Sequence, residues 1–226
     1  MRLFDFLFPP RADELTLREL ESDGLLGHLQ PRLVPETRPA TVALLPFSTP
    51  AVRAALHEAK YHGSERAFTL LAEVLADYLV DLDEGFTKSF VIVPVPLGRA
   101  RLRERGFNQV EEVARRALRA LDIGCPPGHP MSQYGPEHNI RHPVSDIVLD
   151  SSLLTRTRET PTQVSLARDA RERNLRGAFS ASHPADPHTT YLLLDDVITT
   201  GATLQSATSA LLSSGAEHIL PLALAH

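Results

Sequence analysis

The chain has 226 residues, 42% of them hydrophobic and 23% charged, with no tryptophan, which suits one soluble globular domain with a small appendage and makes two full domains unfavourable. A formal net charge of −5 argues against wholesale nucleic-acid binding, which rests on neutralising many phosphates. No apolar run is long enough for a membrane span, and a single cysteine, Cys125, excludes an intrachain disulfide and a multi-cysteine zinc site.

From the amino terminus, "MRLFDFLFPPR" is broken by Asp5 and two prolines too early for a secretory signal, so a cytoplasmic protein is expected. "ADELTLRELESDGLLGHL" (12 to 29) carries leucines at helical spacing and "QPRLVPETRPA" (30 to 40) reads as a proline-broken linker. Residues 1–45 are thus expected as appendage and linker, and 46–226 as the main domain. Two helices follow, the first capped by Ser48 or Thr49 and the second, "ERAFTLLAEVLADYL", by Ser64. "SFVIVPVPL" suits a buried parallel strand, "GRARLRERG" (98 to 106) an arginine-rich turn, and "NQVEEVARRALRAL" (108 to 121) an amphipathic helix. The proline- and histidine-rich 124 to 146 has no period and reads as a long loop. "TTYLLLDDV", the turn "ITTGAT", the helix "LQSATSALLSS" with Gly215 at its end, and "EHILPLALA" complete a strand–helix–strand unit. The alternation predicts a parallel sheet with helices on its faces.

Two features carry chemistry. At the carboxyl end of a parallel strand, where ligands bind in such sheets, Gly201 lets backbone approach an anion and Thr199, Thr200 and Thr203 add hydroxyl donors. The turn is neither a Walker loop nor a G-x-G-x-x-G fingerprint. Asp195 and Asp196 would repel a lone phosphate, so they imply a ligand with ribose hydroxyls or hydrated Mg²⁺ beside its phosphate. The alternative is that the acids only offset a helix N-terminus. The second feature is positive charge supplied almost wholly by arginine, Lys60 and Lys88 being the only lysines. Arginines at alternate positions in "RARLRER", on an extended turn, would aim their forks at phosphate oxygens; the alternative is a solvated basic loop. Cys125, His129, His138 and His142 have spacing that zinc could use, but the intervening prolines oppose it and a loop is expected.

"LLLDDVITTGAT" resembles the phosphoribosyl pyrophosphate signature of type I phosphoribosyltransferases. With "EAKYHG" (58 to 63), "VPVPLGRARLRERGFNQV" (93 to 110) and "RTRETPTQVSLARDARERNLRGAFS" (156 to 180), residues 46 to 225 are similar to the ComF family, associated with competence for DNA uptake. The resemblance implies a doubly wound parallel sheet, binding of phosphoribosyl pyrophosphate with Mg²⁺, and transfer of the ribosyl phosphate to an acceptor. By the family pattern Asp195 and Asp196 hold the ribose hydroxyls and, directly or through water, the Mg²⁺. The turn Val197, Ile198, Thr199, Thr200, Gly201, Ala202 and Thr203 holds the 5-phosphate. Pro96, Leu97 and Arg105 lie near the pyrophosphate, while Thr160, Gln163 and Arg168 belong to a flap over the reacting carbon. Family members open with a zinc-binding cysteine cluster after a start like "FDFLFPP". Here Ala12 stands where a cysteine is expected, so no structural zinc is expected: either the module is lost or a helix takes its place. The resemblance admits a DNA-uptake protein as partner and a homodimer. A non-catalytic binder of the same ligand is the rival reading, and an arginine-based nucleic-acid module is disfavoured by the acidic net charge.

Overall fold

The computed structural model describes residues 11–20, 24–84, 90–122, 147–157 and 177–226. Along the chain, helix α1 (Ala12–Arg18) and a short 3-10 turn precede strands β1 (Arg32–Val34) and β2 (Thr41–Leu45). Helices α2 (Pro50–His62) and α3 (Glu65–Glu84) lead to β3 (Phe90–Pro94), α4 (Arg99–Arg105) and α5 (Gln109–Asp122). Then come β4 (Ile147–Leu149), β5 (Leu154–Arg156), β6 (Phe179–Ala181), β7 (Thr190–Val197), α6 (Ala202–Ser213) and β8 (His218–Ala225).

Six strands form one sheet in the order β1-β2-β8-β7-β3-β4. Only β1 runs antiparallel to its neighbour; every other pairing is parallel. Because side chains alternate along a strand, β3 and β7 split their apolar residues between two cores. Phe90, Ile92, Leu192 and Leu194 meet α2, α3 and α5 on one face. Val93, Tyr191 and Leu193 meet the Leu204, Ala207 and Leu211 stripe of α6, with the β5–β6 hairpin, on the other. Helices thus cover both faces of a largely parallel sheet, as the doubly wound reading expects. From β3 the chain moves outward to β4, whereas from β7 it moves the opposite way to β8. The strand order therefore reverses between β3 and β7, and a crevice opens at their carboxyl ends.

Several local expectations meet their elements. Thr49 stands at the N-cap position of α2, though without a side-chain capping bond, and Pro50 at the first position gives up an N–H that would have been unpaired anyway. Ser64 Oγ accepts from the Ala67 N–H at 3.4 Å, and Gly63 ends α2 with a φ of 58°. The stretch from Ala12 is a helix, α1, fastened to α2 by the Arg11 fork on Glu58, with Nε to Oε1 at 2.8 Å. That pairing holds the Glu58 carboxyl below its usual range despite burial. Without Arg11 the buried carboxylate would keep only the more distant His62, 3.9 Å away, beside it.

Two readings need correction. Residues 32–34 and 41–45 are not part of a linker: β2 pairs in parallel with β8 and carries β1 at the sheet edge. The proline-rich loop between them, 35–40, hid strands of only three and five residues. Residues 99–105 are a helix rather than an extended turn, bounded by Gly98 and by Gly106 with a φ of 79°. Arg, Leu and Glu are good helix formers, so the chain coils where alternation suggested extension. Alternate arginines on a helix diverge by roughly 200° per pair, which rules out all four pointing at one ligand. The loop 124–146, with Cys125, His129, His138 and His142, lies outside the described residues.

Candidate phosphate and acid site at the ends of β3 and β7

Strand β7 delivers the two acids to the crevice, and its alternation sends them apart. Asp196 continues the Leu192–Leu194 side and meets α2 and α5: its Oδ2 lies 3.0 Å from Lys60 Nζ and accepts from Gln109 Nε2 at 2.8 Å. Its Oδ1 accepts from the Val197 N–H at 2.7 Å. Asp195 continues the Tyr191–Leu193 side. Its Oδ1 accepts from the Asp196 N–H at 2.9 Å; its other oxygen makes no hydrogen bond among the described residues. Burial, then the Asp196 charge beside it, push the Asp195 carboxyl up to about 7, against the pull of the Asp196 N–H, Lys60 and Arg156. The two carboxylates therefore do different jobs: both oxygens of Asp196 are engaged by protein donors, whereas Asp195 has an acceptor to offer.

Beyond β7, Ile198 is buried and tied to the sheet by its N–H on Ala225 O at 3.0 Å. Gly201 then takes a φ of 75° and caps α6. A side chain there would be strained twice, since a Cβ would stand 2.8 Å from Thr37 Cβ. Thr37 is buried, its hydroxyl directed at Val34 O (2.8 Å) and Pro39 O (2.9 Å), so the β1–β2 loop forms the floor beneath the turn. Ala202 N–H reaches Thr200 Oγ1 at 3.4 Å. Among the described residues the backbone N–H groups of Thr199, Thr200, Gly201, Thr203 and Leu204 make no hydrogen bond. Unpaired N–H groups around a left-handed glycine at a helix N-terminus form an anion cradle.

On the β3 side, Val95 N–H bonds Leu194 O at 2.8 Å and carries Pro96 and Leu97, both half-buried, past the strand end beside Asp195. Asn108 closes this turn by donating Nδ2 to Val95 O at 3.0 Å. Arg105, in the last turn of α4, lies over the Tyr61 ring, 5.2 Å from its centroid, and donates to Gln109 Oε1 at 3.1 Å. Arg105, Gln109, Asp196 and Lys60 thus form one connected polar chain across α4, α5, β7 and α2. Sequence reasoning assigned no role to Lys60, Tyr61, Asn108 or Gln109. Their signal was present in the "EAKYHG" and "RGFNQV" motifs, but which atoms they meet depends on how α2 and α5 pack on one face.

Two other placements complete the picture. Strands β5 and β6 pair antiparallel, Arg156 opposite Phe179, and frame the segment to which Thr160, Gln163 and Arg168 belong; those three lie outside the described residues. On α2, His57, Glu58 and His62 bring donor atoms within 4.8 Å of one another, but the Arg11 fork already takes both Glu58 oxygens. No helix among the described residues is long and apolar enough to cross a membrane.

No family model matches the chain. It is 33% identical over 130 residues to Competence protein F of Haemophilus influenzae, covering 57% of this chain and 46% of that protein. To the DNA utilization protein YhgH of Salmonella typhi it is 31% identical over 171 residues, covering 74% of this chain and 64% of the relative. The chain spans about half the length of most of the curated relatives it matches. Among solved structures, a hypoxanthine phosphoribosyltransferase from Staphylococcus aureus aligns with a TM-score of 0.33 and 14% identity over 69% of this chain and 61% of that one. That likeness is too slight to bear on the fold, which rests on the sheet itself. Relatives bearing the competence, ComFC and YhgH names, together with the four motifs in order, support reading the chain as a ComF family protein.

Proposed function

We propose that the chain binds phosphoribosyl pyrophosphate with Mg²⁺ across the carboxyl ends of β3 and β7 and transfers its ribosyl phosphate to a nitrogenous acceptor. The observation that carries this reading is the juxtaposition of an anion cradle around Gly201 with an acid, Asp195, that has one oxygen to spare. A bare phosphate site has no use for that acid, whereas a ribose 5-phosphate presents hydroxyls to it. Backbone N–H groups from Thr199 to Leu204, with the threonine hydroxyls, hold the 5-phosphate. Asp195 accepts from a ribose hydroxyl and fixes the sugar's orientation, and Arg105 brings positive charge to the pyrophosphate side.

Carboxylate oxygens are hard donors that suit Mg²⁺. Asp195 fits at once, and Asp196 fits only when its present partners yield. Bound there, the ion would neutralise charge on the departing pyrophosphate. In the transfer, the C1–oxygen bond to pyrophosphate breaks with its electron pair leaving on pyrophosphate, and the acceptor nitrogen's pair forms the new bond to C1. The protein contributes positioning and a preorganised positive surround. The names of the relatives support placing this activity in the handling of DNA, with a protein of the uptake machinery as partner.

Phosphoribosyl pyrophosphate with Mg²⁺, at about 100 times its Kd, is expected to stabilise the fold by ~2.7 kcal/mol and to raise Tm by about 5 to 10 °C. An unmoved Tm, beside a control phosphoribosyltransferase that responds, would overturn binding. Pyrophosphate release across a panel of bases and amines then separates turnover from binding alone.

A further inference from the structure

Lys60 is one of two lysines in the chain, and the ligand scheme above leaves it without a task. It stands in the last turn of α2, its Nζ 3.0 Å from Asp196 Oδ2. With Gln109 on that same oxygen and the Val197 N–H on the other, three of roughly four acceptor positions on Asp196 are filled. The three donors differ in freedom. The Val197 N–H belongs to the backbone of β7. Gln109 is buried at the first turn of α5 and is gripped from its other end by Arg105. Lys60 alone reaches Asp196 from a flexible four-carbon stem with 29% of its side chain exposed, so it is the donor that can leave.

The geometry points to Lys60 as an exchangeable counter-ion, a positioning residue that holds Asp196 in the ligand-free protein and yields it to the cation that arrives with the ligand. Its freed ammonium then pairs with phosphate oxygens of that ligand. This rests on the reading of the site as one for phosphoribosyl pyrophosphate, and it extends that reading to selectivity. Only a polyphosphate sugar carrying a divalent cation brings both what Asp196 needs in exchange and what Lys60 needs afterwards. A sugar monophosphate without the cation leaves the Lys60–Asp196 pair closed and half of the site out of use.

The test compares wild type with Lys60→Ala, Lys60→Gln and Lys60→Arg, titrating Mn²⁺ alone and, separately, phosphoribosyl pyrophosphate in Mg²⁺. Removing the competing ammonium is expected to tighten Mn²⁺ binding about five-fold, the scale of a partly exposed ion pair. It is expected to weaken donor binding by about ten-fold or more, the scale of a charge-assisted hydrogen bond, with Lys60→Arg restoring most of it. Lys60→Gln keeps a hydrogen bond to Asp196 without the charge, so it should show the same two shifts if the alanine variant folds poorly. The two affinities moving in opposite directions is the signature. A lysine that merely fastens α2 to β7 would weaken both ligands together and lower Tm, and either that result or unchanged Mn²⁺ affinity would overturn the exchange. If wild type fails to bind the donor at all, the phosphoribosyl pyrophosphate reading falls, while the Mn²⁺ comparison still decides whether Lys60 competes with a cation.

Discussion

Replacing Asp195 by asparagine is expected to stabilise the folded protein at alkaline pH while weakening its hold on the ribosyl donor. The carboxyl is pushed up to about 7 from an ordinary value of 3.8, first by burial and then by Asp196. The folded state thus keeps a proton on Asp195 that the unfolded chain releases. The stability this acid takes away is absent below about pH 4, grows as pH rises, and is complete above about pH 7. Asparagine never ionises, so its advantage over wild type should widen by about 2 kcal/mol between pH 5 and pH 8, after allowance for partial solvent access. Its amide oxygen still accepts the Asp196 N–H. Denaturant unfolding at the two pH values measures this directly. If the acid merely offset a helix terminus, the variant would instead be destabilised, by ~0.3 to 1 kcal/mol, and would show no such widening.

Gly201→Ala is expected to cost about 2 to 4 kcal/mol of stability and to abolish donor binding, by adding two penalties. The first is backbone strain at a φ of 75°; the second is the overlap of a new Cβ with Thr37 Cβ at 2.8 Å and Cγ2 at 3.1 Å. Thr37 cannot turn away, being buried with its hydroxyl held by the β1–β2 loop. Gly106 supplies the control, since its φ is 79° but a Cβ there meets nothing within 4 Å. Gly106→Ala should therefore show only the conformational part, about 1 to 2 kcal/mol. Equal losses in the two variants, measured by denaturant unfolding, would mean that the turn does not rest on Thr37.

What the sequence made legible follows the length and regularity of each element. The β7 run and the α5 pattern are long enough to show their period, and "DDVITTGAT" marks a turn by residue type alone. Strands β1, β4, β5 and β6 have three residues each, too few for any alternation to register, and they exist because neighbouring backbone is there to pair with. The arginine run failed for a different reason. Alternation of charge mimics a strand, but between two glycines the local preference of Arg, Leu and Glu for helix decided the outcome. The separation of Asp195 from Asp196 was legible in principle, since adjacent strand residues face opposite ways. The lysine that meets one of them was not, because α2 and β7 are far apart in the chain and only packing joins them.

The most direct measurement is a calorimetric titration of phosphoribosyl pyrophosphate, in Mg²⁺, into wild type and into a variant carrying both Asp195→Asn and Asp196→Asn. Wild type should bind saturably, and the double variant more weakly by at least ~2 kcal/mol, since each lost charged contact is worth about 1.5 to 3 kcal/mol. Equal affinity in the two proteins would contradict recognition of the ribosyl donor by this acid pair.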